Sequence, residues 1–255
     1  MYEIATRERA LALVTQGRSL NSVSKETGIS RWSLRSWQQR LHPLSPKSTC
    51  PRCSSPPRSP EDPSAYSYLL GLYLGDGCVS RLARTYTLRV SCADAWPGLI
   101  EECERAIRAV RPDNSVNRVQ APGCVAVTAY SNHWPCLFPQ HGPGKKHERR
   151  IVLEPWQREI VDAHPWELVR GLVHSDGCRI TNWTTKTVGG IRRRYEYPRY
   201  FFTNKSVDIA RLYGKTLGTL GIEWTSSRSR KGAYTLSVAR KPSVAMMDRH
   251  IGPKH

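Results

Sequence analysis

The sequence has no apolar run approaching the ~18 residues that a membrane-spanning helix requires, and no lipidation signal. With neither, no membrane partner is expected. The opening residues MYEIATRERA carry charges where a signal peptide has its apolar core, so the expected location is cytoplasmic, on the nucleoid if the source is bacterial. Acidic residues are scarce. Against 39 Lys and Arg stand 21 Asp and Glu, a formal net charge of +18 in 255 residues, and such a deficit calls for a polyanionic partner, double-stranded DNA before a small-molecule substrate. The eight cysteines are scattered, several within apolar strand patterns, which fits reduced buried thiols better than a disulfide framework. One pair, Cys50 and Cys53 in a CxxC, has no second CxxC or CxxH nearby to complete a zinc tetrahedron. It reads either as a Zn2+ half-site, finished by His42 or another chain, or as two non-ligands.

What is present is organised around one stretch that occurs twice. LLGLYLGDGC at 69–78 returns as VRGLVHSDGC at 169–178, with Asp76 and Asp176 100 residues apart. Each copy is an apolar run with small residues four apart, Gly71 and Gly75 in the first, Gly171 and Ser175 in the second. On a helix these stack on one face and let a second helix come close. Each run then ends in an aspartate followed by glycine, which predicts a helix stopped by a left-handed cap. Helices packed through their small faces bring both carboxylates out at one end. There they repel unless a positive charge lies between them, and a hard divalent cation is the natural candidate. A helix C-terminus also disfavours an acid, so the same placement twice points to use.

LLGLYLGDG and VRGLVHSDG resemble the two motifs of the LAGLIDADG homing endonuclease family in its two-repeat, single-chain form, over roughly the last three quarters of the chain. The resemblance implies an α+β fold: two pseudo-symmetric αββαββα repeats forming a DNA-binding saddle. It implies site-specific double-strand DNA cleavage by metal-dependent phosphodiester hydrolysis. In it Asp76 and Asp176 each coordinate Mg2+, or another divalent cation, beside one scissile phosphate, with the carbonyls of Gly75 and Ser175 as further ligands. Family members often carry a basic residue near the end of the last hairpin. Lys241, next to Arg240, stands there in the second repeat and is the expected third catalytic residue, whereas the first repeat ends Tyr130-Ser131-Asn132 without a lysine. A chain holding both motifs needs no second copy, so a monomer is expected.

Ahead of the motifs, residues 4–40 read as three short helices. Ile4, Ala10, Leu11 and Leu13 give the first its apolar face, Ser19 and Ser30 cap the next two, and Gly28 makes the turn between them. With Ile29, Leu34 and Trp37 turned inward, Arg31, Trp32, Ser33 and Arg35 are left for a major groove, as in a helix-turn-helix reader. A small bundle that binds protein or packs on the main domain fits the same pattern. The expected domains are a helix-turn-helix at 1–41, a Pro/Ser-rich linker at 42–64, the first repeat with its connector at 65–150, and the second repeat at 151–255.

Within the first repeat the pattern predicts hairpins over 79–92 and 115–130 and helices over 97–110 and 133–138. After a helix at 156–163 and the second motif come strands 179–186 and 192–204 about Gly189-Gly190, a helix at 206–220, strands 222–229 and 233–241, and a final helix at 243–251. The connector QHGPGKKHERR at 140–150 is a solvated loop or a phosphate clamp. Cations on strands and hairpin tips are the expected DNA contacts: Arg84, Lys186, Arg192, Arg193, Arg194, Arg228, Arg230 and Lys231, with Arg89, Arg118 and Arg199 in the same pattern. Strand register decides which of them reach DNA, since a slip of one residue exchanges the two faces. Cys78 and Cys178 read as strand packing. The alternative function is a transcription regulator that keeps the DNA-binding fold without cleaving.

Overall fold

The computed structural model of the chain describes residues 2–39, 60–252 and 254. They divide into two compact units, Met1–Cys50 and Pro51–His255. Cys50 and Cys53, with His42, lie outside the described residues.

The first unit holds α1 (Ile4–Thr15), α2 (Leu20–Thr27) and α3 (Arg31–Gln39). The Ser19 hydroxyl accepts from the Ser22 amide at 3.1 Å and starts α2, Gly28 ends it at φ +69°, and the Ser30 hydroxyl accepts from the Ser33 amide to start α3. Such caps contribute about 1 kcal/mol each. Ala10, Val23, Ile29, Leu34 and Trp37 are buried together, with the Arg7 guanidinium 5.2 Å from the centre of the Trp37 ring. Ile4, expected on the inner face of α1, is exposed.

The second unit begins with α4 (Pro63–Asp76). Pro63 belongs to this helix and not to the preceding linker, because at the first turn its missing N–H costs nothing. Asp62 caps it, accepting from the Ala65 amide at 2.9 Å. There follow β1 (Gly77–Arg81), β2 (Tyr86–Ala93), α5 (Pro97–Val110), β3 (Val116–Ala121), β4 (Cys124–Tyr130) and α6 (Trp134–Leu137). After α7 (Pro155–Ala163) the order returns: α8 (Pro165–Asp176), β5 (Gly177–Val188), β6 (Ile191–Asn204), α9 (Val207–Thr219), β7 (Thr225–Arg228), β8 (Tyr234–Val238) and α10 (Lys241–His250). Each repeat forms a four-stranded antiparallel sheet, ordered β1-β2-β4-β3 and β5-β6-β8-β7. This is the α+β, twofold αββαββα architecture expected.

Alternation along the strands decides what each sheet face does. Leu88 and Val90 on β2, Val127 and Ala129 on β4, Tyr200 and Phe202 on β6 and Leu236 and Val238 on β8 are buried in the core with the helices. Their neighbours Arg89, Ser91 and Thr203 are exposed on the other, open face.

Between the repeats α4 and α8 pack through glycine. A Cβ on Gly171 would lie 2.2 Å from the Tyr68 carbonyl oxygen, and one on Gly71 2.7 Å from that of Leu168, so no larger residue permits this approach. Gly77 and Gly177 are not left-handed caps; they are extended, at φ −92° and −108°. Their glycine character serves space instead, since a Cβ would meet the Cα of Tyr73 at 2.5 Å and of Val173 at 2.7 Å. The chain passes tightly over the last helical turn, and β1 and β5 start at once. No helix among the described residues is long and apolar enough to cross a membrane.

Candidate active site

Because α4 and α8 run side by side to their last turns, Asp76 and Asp176 end in one place. A Cβ on Gly75 would stand 2.1 Å from Ser175 Oγ and 3.1 Å from Asp176 Oδ2. Burial holds the Asp76 carboxyl above the usual carboxylate range, with Lys146 and Lys254 pulling it back. Asp176 is raised too, by burial first and by the charge of Asp76 second; Asn204 Nδ2, which donates to its Oδ2 at 2.6 Å, and the same two lysines offset part of this. Asp76 still reaches solvent and Asp176 is half-buried. The pair is backed by protein and open on one side.

The repulsion between the acids is answered by cations that the sequence pattern did not assign. Lys146 Nζ donates to the carbonyl oxygens of Tyr73, Gly75 and Gly77 at 2.5, 2.6 and 2.8 Å, closing the C-terminal end of α4, where the Tyr73 carbonyl also accepts from the Gly77 amide, and complementing its dipole. Burial brings the Lys146 ammonium down to about 8, against the opposing pull of Asp176 and Asp76. Lys254 Nζ donates to the Ser175 carbonyl at 3.4 Å, and burial lowers it as well. Lys146 belongs to the basic connector, whose path is fixed by a buried network: Gln140 donates to Gln157 at 2.6 Å, and Gln157 to the Tyr66 hydroxyl at 2.6 Å. The run of lysines there was the only signal. Lys254, in the tail, offered none. Lys241 opens α10, beyond an Arg240–Glu223 ion pair of 3.1 Å, and is not among the groups acting on the two carboxylates.

The donor set is all oxygen: two carboxylates and the carbonyls of Gly75 and Ser175, which already converge on the ammonium cations of Lys146 and Lys254. That chemistry fits a hard divalent cation. Among the described residues no cluster of three or more His, Cys, Asp or Glu holds a metal by itself, so such an ion needs oxygens from elsewhere, as Mg2+ commonly takes from phosphate and water.

No family model matches the sequence, and no curated protein is significantly similar to it. Solved structures match in fold. The crystal structure of I-DmoI in complex with DNA and Mn is 16% identical over 76% of this chain and 98% of its own, with a TM-score of 0.51. Mesophilic variants of the homing endonuclease I-DmoI give the same identity and TM-score over 97% of their chain. Full-length DUF199/WhiA from Thermatoga maritima is 15% identical over 76% of this chain and 56% of its own, at 0.49. The chain has the LAGLIDADG fold.

With this fold the register sorts the expected DNA contacts. Pairing of Lys186 with Arg193 puts both on the open face of their sheet, with Arg199. Arg192 and Arg194 share the opposite face with Tyr200 and Phe202, so the run Arg192-Arg193-Arg194 does not point one way. Arg118 also turns from the open face, to Glu104 of α5 at 2.6 Å. Arg89 is on the open face, opposite Cys78. Arg84 sits in the β1–β2 turn, and Arg230 and Lys231 in the β7–β8 turn. Arg228, at the end of β7, pairs with Tyr234 on the inner-face register, its guanidinium 5.2 Å from that ring. Cys78 and Cys178, read as strand packing, lie on β1 and β5 in the open-face register. In the N-terminal unit Arg31, Trp32 and Arg35 are exposed and Ser33 is half-buried against its cap.

One polar cluster was not anticipated. His174, on α8, is buried and shares a hydrogen bond of 3.0 Å with the Tyr68 hydroxyl of α4. Glu102 of α5 accepts from Tyr68 at 3.1 Å and pairs with Arg170 of α8 at 2.6 Å. It ties α4 and α5 of the first repeat to α8 of the second, N-terminal to the aspartates on both motif helices.

Proposed function

We propose that this chain is a metal-dependent, site-specific double-strand DNA endonuclease. One observation carries the proposal: two carboxylates, each ending a helix of its own repeat, are brought together beside two lysines, between sheets whose open faces carry arginine. A protein that only bound DNA has no evident reason to hold two acids against the phosphates, where each costs affinity.

Asp76 and Asp176, with the Gly75 and Ser175 carbonyls, would hold the divalent cation. When bound, it supplies positive charge that stabilises the phosphate oxygens through hydrolysis. The chain's own groups do the rest. The carboxylates accept hydrogen bonds from water near the phosphate and orient it. Lys146 and Lys254 offset their charge so that a phosphate can approach. Arg89, Arg193, Lys186 and Arg199 would fix the duplex through phosphates or guanine edges, while the threonines and tyrosines among them contact base edges. Arg31, Trp32, Ser33 and Arg35 would add a second DNA contact, lengthening the site. Both aspartates come from one chain, so a monomer suffices.

A second reading is favoured by the separate three-helix unit: a transcription regulator that binds without cutting. A random-sequence duplex library incubated in Mg2+, with cut ends and bound uncut molecules recovered in parallel, separates the two. Cut ends that vanish with Asp176→Asn support the nuclease. Specific sites that are bound, never cut, and bound equally by Asp176→Asn refute it in favour of the regulator.

A further inference from the structure

The two lysines beside the aspartates arrive by equivalent routes. After α6, the last helix of the first repeat, the connector carries Lys146 back to the carbonyl of Gly75, the residue before Asp76. After α10, the last helix of the second, the chain carries Lys254 to the carbonyl of Ser175, the residue before Asp176. Read alone, neither stretch announces this. Set side by side, each has Gly-Pro ahead of Lys-His: Gly142-Pro143 before Lys146-His147, and Gly252-Pro253 before Lys254-His255. The twofold repeat therefore extends to the cations.

The placement of Lys146 is built, not incidental. Arg149 donates to the carbonyls of Gln140, Gly142 and Gly144 at 3.1, 3.0 and 2.8 Å and so fixes the loop ahead of the short turn that Lys146 opens. An ammonium has three N–H donors, and Lys146 finds three main-chain oxygens for them. Lys254 has one, at 3.4 Å. The charges of both aspartates act on both lysines. Yet the oxygens that the lysines hold include those of Gly75 and Ser175, the same carbonyls that the divalent cation would take. Two cations on one oxygen lie close together and repel, so at each carbonyl an ammonium and a metal ion exclude one another.

Resting on the metal-dependent reading above, we propose that Lys146 and Lys254 are internal stoppers of the metal site: each ammonium occupies a carbonyl that the divalent cation needs, and the cation binds by displacing it. The aspartate pair is then never left uncompensated, since lysine covers it when metal is absent and metal covers it when bound. A displaced ammonium is freed to face the phosphate. With three acceptors against one, Lys146 is the harder to displace, so the Gly75 and Asp76 side is the more firmly closed.

The first test is Mn2+ binding to the DNA-free full chain by isothermal titration calorimetry. Removing a stopper raises the binding-competent fraction, so Lys146→Met is expected to bind Mn2+ roughly tenfold more tightly than the parent, and Lys254→Met about two- to threefold. Equal or weaker binding by Lys146→Met overturns the proposal, and an equal gain from Lys254→Met overturns the ranking of the two. Loss of a nearby positive charge alone also tightens binding, so the second test uses the parent, which requires no variant to fold. Lys146 is acetylated with N-hydroxysuccinimide acetate, with and without Ca2+, and followed by peptide mass spectrometry. Displacement frees the ammonium, and labelling of Lys146 is expected to speed up roughly fivefold or more with Ca2+. An unchanged or slower rate overturns the proposal whatever the affinities. If neither the parent nor the Lys146→Met and Lys254→Met double variant binds Mn2+ at all, the metal-dependent reading falls and this inference with it, an outcome distinct from equal affinities.

Discussion

Replacing Gly171 by alanine perturbs the contact that brings the aspartates together. The added Cβ would stand 2.2 Å from the Tyr68 carbonyl oxygen, 3.0 Å from Gly71 Cα and 3.0 Å from Leu72 N. All three are backbone atoms of α4, so no side chain can swing aside; the helices must separate by about 1 Å to restore ordinary contact. Overpacking of this kind costs ~1–3 kcal/mol, and a gap of 0.5–1 Å along the rest of the interface forfeits a quarter to a half of each contact it opens. Against this, alanine gains ~1 kcal/mol over glycine within a helix. The net is a destabilisation of about 2–3 kcal/mol, or a fall of roughly 5–10 °C in Tm for a domain of this size. Gly218, on α9, is the control: nothing lies within 4 Å of its Cβ direction, so Gly218→Ala is expected to raise stability by about 0.5–1 kcal/mol. Urea and thermal melts followed by circular dichroism read both. A Gly171→Ala protein as stable as the parent refutes the close-packed helix pair.

Four other outcomes follow from the same contacts. Since burial and the charge of Asp76 penalise ionised Asp176, Asp176→Asn is expected to raise the Tm of the metal-free protein, and Mg2+ to raise the Tm of the parent but not of the variant. Burial pushes the Glu102 carboxyl up, but hydrogen bonds from His174 and Arg170 outweigh it and hold it down at about 2. A depressed acid stabilises above its unfolded pKa near 4.5 and loses that stability as pH falls toward 2, so Glu102→Gln should lower Tm at pH 7 and flatten its decline between pH 4.5 and 2. Lys146→Met removes the ammonium that bonds the Tyr73, Gly75 and Gly77 carbonyls and is expected to cost on the order of 1–3 kcal/mol in a urea melt. Trp32 is 77% exposed; Trp32→Ala should leave stability within about 0.5 kcal/mol of the parent while weakening DNA binding in a gel-shift titration.

Much of the architecture was legible because glycine and proline punctuate it. The helix at 97–110 starts on proline and has the bounds that its apolar spacing predicts, and Gly189-Gly190 turns the long hairpin with both residues at positive φ. Recurrence of the motif 100 residues on placed both helix ends, since only small residues allow the crossing. What stayed illegible was set by tertiary structure. Which of Arg192, Arg193 and Arg194 faces outward depends on strand register, and Arg118 goes to Glu104 because α5 lies behind its strand. Lys146 and Lys254 reach the aspartates from 71 and 79 residues away from the carbonyls they bind, a juxtaposition no local pattern encodes. Gly77 and Gly177 were misread as caps because local sequence cannot separate a need for positive φ from a need for room.

The most direct test uses a duplex recovered by the full chain, with each strand labelled separately, incubated in Mg2+ with the parent, Asp76→Asn and Asp176→Asn. The account predicts cleavage of both strands by the parent, and loss of double-strand cleavage in each single variant while the duplex stays bound. Double-strand cleavage by either variant at the parental rate contradicts it.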